Sequence, residues 1–170
     1  MHHKSLQIYL NDHLAGATAG VELSRRIARA HQSSARAGEL QRLADDIAED
    51  RESLLDLMEL LDVRPHRYKV YGGWAGEKVA RLKPNGRLYH RSGLSTLIEL
   101  ETLRLGIQGK QQLWQALTGP ASASGRFEAS RLDTLKDRAK DQMTTVDALH
   151  RTAASRVLVL HDDRGPEGGA

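Results

Sequence analysis

Residues 94–119 read LSTLIELETLRLGIQGKQQLWQALTG and carry apolar side chains on two sides of a helix at once. Leu94, Leu97, Ile98 and Leu105 make one side, and Leu100, Leu103, Ile107 and Trp114 the other. At about 100° per residue this pattern is helical, and a helix apolar on both sides is expected to be the most buried of its domain. Ser92 is placed to cap its start, and Gly119-Pro120 predicts its end. A helix of that kind needs amphipathic partners around it, and the rest of the chain supplies three.

The first spans roughly Leu6 to His31, with Ser5 as cap and Leu10, Leu14, Ala17, Val21 and Ala28 on one side. Gly16 and Gly20 flank that stripe, and their helical cost of up to ~1 kcal/mol each predicts close approach of another helix. After a turn at residues 32–34, a second helix runs from about Ala35 to Leu61, with Leu40, Leu43, Ile47, Leu54 and Met58 inward. Ala121 to Gly125 reads as a small-residue loop, and a fourth helix follows from about Phe127 to Leu160. Two short-linked helical hairpins joined by about 30 residues predict an all-α four-helix bundle. The long connection between helices 2 and 3 is a crossover containing a short helix near Trp74 to Lys83. The expected single domain covers residues 1–163, followed by a disordered tail at 164–170.

At 170 residues with no cysteine, disulfides and thiolate metal sites are excluded. No apolar run approaches the ~20 residues of a membrane span, and Leu6 to Leu14 is interrupted by Gln7, Asn11, Asp12 and His13. A cytoplasmic protein that does not enter a membrane is expected. The net charge of +3 is uneven: residues 63–91 hold eight Lys/Arg against Glu77 alone, +7, so the remainder carries −4. Those bases are Arg64, Arg67, Lys69, Lys78, Arg81, Lys83, Arg87 and Arg91, interleaved with Tyr68, Tyr71, Trp74 and Tyr89. The segment's first expected role is to cover the bundle, with Trp74, Val79 and Leu82 as anchor. An anionic ligand or acidic partner is the second. Nucleic acid is not the expected partner, because no recognition module accompanies the bases.

Four helical stripes each hold an ionisable residue near their middle: His13, Arg51, Glu101 and His150, with Asp50 at one stripe's edge. Buried charges need partners, so these five residues predict a buried polar cluster. One reading is an ion-pair network centred on Arg51 and Glu101; a metal site and a small-molecule or proton-transfer site are the others. With the second hairpin turning near residue 122, Glu101 falls ~10 Å short of His150 unless the helices stagger. Ser33, Ser34 and Ser95 have no base-and-orienter companions, and no glycine-rich phosphate loop is present, so no enzyme class is assigned.

The helix lengths, the long middle connection, and the pairing of Glu101 with Asp147-Ala-Leu-His150 resemble the ferritin-like superfamily. The layout is similar to bacterial helical proteins of that superfamily. Its di-metal members take a Glu from each of two helices and Glu-x-x-His from each of the other two. The resemblance implies an Fe or Mn site made by Glu101, Asp147 and His150 and completed by His13. It departs at Glu49-Asp-Arg-Glu52, which lacks the histidine, and Arg51 would repel a divalent ion. The expected function is therefore a non-catalytic ferritin-like bundle acting as an interaction or small-ligand-binding protein, with a homo-oligomer among its possible assemblies. The alternative is a metal-dependent oxidoreductase or iron-handling protein with a degenerate ligand set.

Overall fold

The computed structural model describes residues 2–66, 93–124 and 128–158, and these form four α-helices and no strand. They are α1 (His2–Ala30), α2 (Ala37–Leu60), α3 (Gly93–Ser124) and α4 (Ala129–Val157). None of the described helices is long and apolar enough to cross a membrane. The basic residues from Arg67 to Arg91, the expected short helix at 74–83 and the tail at 164–170 lie outside the described residues.

Side-chain contacts fix the helix directions. Arg26 meets Glu99 at 3.1 Å and His31 meets Thr96 at 3.4 Å, while Leu10 and Leu14 pack with Leu113, Trp114 and Leu117, so α1 and α3 are antiparallel. Arg36 reaches Thr152 at 3.3 Å and Arg131 reaches Asp56 at 2.7 Å, so α2 and α4 are antiparallel. Arg51 donates to Thr18 at 3.1 Å across the first hairpin, and Arg104 to Asp147 at 2.9 Å across the second. It follows that α2 and α3 run in the same direction.

The apolar core lies in two halves. One gathers Leu10, Leu14, Leu54, Leu57, Met58, Leu113, Trp114, Leu117, Leu132 and Leu135. The other gathers Val21, Ile27, Leu43, Ile47, Leu100, Leu103, Ile107, Ala139 and Val146. On α2 and α3 the two halves are separated by one inward polar position each, Asp50 and Lys110, which matters below.

Three sequence expectations are corrected. α3 runs through Gly119-Pro120 to Ser124, since losing the single N–H of a proline near a helix's end removes one hydrogen bond and leaves the small Ala and Ser residues free to continue. The Leu94 side of α3 is core only at Leu97, which is buried: Leu94 is 49%, Ile98 37% and Leu105 69% exposed. Among the described residues, α1 and α4 pack on its inner side, which α2 reaches through Asp50, and these three side chains of its outer side stay exposed. Third, Gly16 does not mark a tight crossing, since a Cβ there would meet no atom within 4 Å. Close approach occurs instead at Gly93, where a Cβ would lie 2.5 Å from Val157 Cγ2.

The exit from α2 is a Schellman turn built without glycine. Asp62 adopts φ 55°, and the Val63 N–H reaches back to Met58 O at 2.8 Å while buried Val63 packs on the first core half. Buried Asn11 then ties the departing chain to α1. Its Nδ2 donates to Gln7 O (2.8 Å) and Arg64 O (3.2 Å), and its Oδ1 accepts from the His66 N–H at 2.6 Å.

Candidate functional site

The polar centre of the bundle is built on Asp50, 1% exposed. Its position on α2 continues the stripe Leu43, Ile47, Leu54, Leu57, so the carboxylate is carried inward between the two core halves. Lys110 holds the matching place on α3 between Ile107 and Trp114, while on α4 Gln142 interrupts the second core half between Ala139 and Val146.

A closed set of contacts results. Lys110 Nζ donates to Asp50 Oδ2 and, at 2.5 Å, to Gln142 Oε1. Gln142 Nε2 donates to the same Asp50 oxygen at 2.9 Å. Asp50 Oδ1 forms an ion pair with Arg138 Nη2 at 2.6 Å, and Arg138 Nη1 continues outward to Glu49 at 2.8 Å. Two carboxylates balance two cations. Burial pushes the Lys110 pKa below its ordinary 10.5, opposed by the Asp50 charge beside it. Arg138 and Gln142 also line an open groove of about 710 Å³ between α2 and α4, with Arg42, Asp46, Asp141 and Thr145 along its walls. Burial raises the Asp46 carboxyl above 3.8, against the opposing pull of Arg138.

Of the five residues expected in a buried cluster, only Asp50 is at the centre. Arg51 turns to the edge of the first hairpin, bonding Thr18 and, at 2.6 Å, Glu52. Its α2 stripe admits either Asp50 or Arg51, and the α3–α4 side of the bundle selects Asp50. His13 is half-buried against Tyr9, ring centroids 4.6 Å apart, and burial lowers its pKa below 6.5 despite nearby Asp12.

Glu101 and His150 do meet, at 3.0 Å, but on the surface: their side chains are 53% and 35% exposed. They meet because α3 runs on to Ser124, which moves the second turn along the chain and shifts the α3–α4 register by about two helical turns. The expected Arg51–Glu101 pair is therefore absent, each residue having found a closer partner. Asp147, two-fifths exposed, is held by Arg104. Among the described residues no three His, Asp or Glu side chains come together as a metal-binding group. Arg64, the one member of the basic set among the described residues, is exposed.

Lys110, Arg138 and Gln142 were not anticipated. The signal for two of them was present: Lys110 and Gln142 interrupt apolar stripes at the same three-four spacing used to single out the others. No family model, curated protein or solved structure shows significant similarity to this chain.

Proposed function

We propose that the chain is a non-catalytic helical bundle of ferritin-like topology that acts as an interaction protein. The observation that carries this reading is the mutual pairing of the charges at its centre. Among the described residues, the charges at the centre engage one another: Asp50 with Lys110 and Arg138, and Arg138 with Glu49, while Gln142 donates to Asp50. A general base or nucleophile needs a group left available to substrate. A network of this kind fixes helix register instead, because sliding α2, α3 or α4 by one turn would strand a buried charge.

The ferritin-like reading draws support from the parallel α2 and α3, the arrangement that a crossover between two helical hairpins produces. Recognition then belongs to the outside of the bundle, where the bare apolar side of α3 lies.

Native mass spectrometry of the full chain tests this, as purified and after anaerobic addition of Fe(II) or Mn(II). The expected result is a mass accounted for by polypeptide, as one copy or two, with no metal or small-molecule adduct. A stoichiometric adduct lost in Asp50→Leu/Lys110→Met would overturn the reading in favour of a ligand site at the centre. A metal adduct lost in His150→Ala would overturn it in favour of the iron-handling alternative.

A further inference from the structure

Leu94, Ile98, Glu101, Leu105, Gln108 and Gln112 recur on α3 at alternating spacings of four and three residues. That is the spacing of a coiled-coil seam, yet this seam points away from the bundle. Its apolar members are the exposed Leu94, Ile98 and Leu105.

The two flanks of the seam differ. On the side facing α4 stands Arg104, next to the seam's own Glu101, and the two contact Asp147 and His150 of that helix. On the side facing α1, marked by the Glu99 and Thr96 contacts to Arg26 and His31, stand small residues at seven-residue intervals: Ser95, Thr102 and Gly109. At Gly106 and Gly109 an added Cβ would meet nothing within 4 Å, so another backbone has room to approach.

We infer that this face is occupied by a second copy of the chain, with α3 packed antiparallel against α3 of its partner about a twofold axis at Thr102. Twofold antiparallel packing sets each flank against the same flank of the other copy. Three pairings then fall into one register. Ile98 meets Leu105 of the partner subunit, Glu101 meets the partner's Arg104, and Ser95 meets the partner's Gly109. Each pairing occurs twice and each centres on Thr102 to within about half a residue, ~0.8 Å along the helix. Opposite charges meet on one flank, small residues meet on the other, and leucine and isoleucine fill the seam between them. A ligand peptide or unrelated protein has no reason to match a register set by this helix's own sequence.

Because Glu101 keeps His150 and Arg104 keeps Asp147, each inter-copy pair extends a chain of four alternating charges across the interface (His150 taking part when protonated). Such networks cost less side-chain entropy than isolated pairs, since each group is already held. This inference rests on the reading of the chain as an interaction protein and names its partner.

Light scattering coupled to size exclusion, on the full chain across the micromolar range, reads the outcome. Wild-type protein is expected to be dimeric, and Leu105→Glu monomeric with unchanged helical circular dichroism, its Kd raised at least ~100-fold. The register is tested by Glu101→Arg and Arg104→Glu. Each alone sets like charges together at the seam and weakens the homodimer, whereas mixing the two restores opposite charges and gives a heterodimer. Wild-type monomer, a dimer indifferent to Leu105→Glu, or a mixture that fails to associate each overturns the inference. The inner network is tested separately by its adduct-free mass and the core variants, so a monomeric wild type overturns the dimer alone.

Discussion

Replacing Asp50 by leucine should be among the most damaging single changes available in this chain. The carboxylate is 1% exposed and receives Lys110, Gln142 and Arg138. Leucine matches aspartate in branching but ends in bulkier methyl groups, so some overpacking adds to the effect. What remains is Lys110, with its side chain only 13% exposed and Gln142 as its one neutral acceptor. Stranding a buried charge in this way costs about 3–5 kcal/mol. Arg138 is spared part of the loss because it keeps Glu49 at 2.8 Å. For a chain of this length each kcal/mol moves the melting temperature by about 2–4 °C, which places the expected fall at roughly 10 °C. The diagnostic variant is Asp50→Leu/Lys110→Met, which removes both central charges and leaves apolar stripes unbroken on α2 and α3. It should recover to within about 1–2 kcal/mol of wild type, since apolar replacements of buried ion pairs are often neutral or better. Thermal and urea unfolding followed by circular dichroism measure both. A double variant no more stable than Asp50→Leu alone would refute the argument, because the stranded cation would then not be the source of the loss.

Asn11→Ala should cost about 2–3 kcal/mol in urea unfolding, since it leaves the Arg64 carbonyl and the His66 N–H without their side-chain partner. Asp62→Gly should add about 0.5–1 kcal/mol to stability, because glycine adopts φ 55° without the side-chain penalty aspartate bears there; a loss would mean that the aspartate side chain makes its own contribution. The depressed pKa of His13 means that the unfolded chain binds its proton more readily than the folded one. Stability should therefore hold above pH 6.5 and decline as pH falls below it, and His13→Gln should flatten that decline between pH 7.5 and 5.5 in paired denaturation curves.

How much of this was legible beforehand differs by element. Apolar periodicity located all four helices, and the three-residue turn after His31 paired the first two. The end of α3 was misread because Gly-Pro is a strong local stop signal, and a helix with most of its hydrogen bonds in place tolerates one missing donor. That single displacement propagated: it moved the α3–α4 register, brought Glu101 to His150, and removed the geometric objection to their contact. The double apolar pattern of α3 was read correctly as a pattern and wrongly as burial. Two apolar sides require cover, and sequence does not say whether the cover lies in the same chain or in another.

The sequence by itself determined that this chain is helical, that its stripes carry misplaced polar groups, and that its excess of positive charge is concentrated in residues 63–91. These are properties of spacing and composition, written in one dimension. Which polar groups meet was decided only by the tertiary structure. Asp50 and Arg51 are neighbours 100° apart, and either suits the α2 stripe; the choice fell to Asp50 because Lys110, Arg138 and Gln142 arrive opposite it from helices sixty and more residues away. A buried charge is stabilised by partners within a few ångströms, and that proximity comes from helix register across the whole bundle.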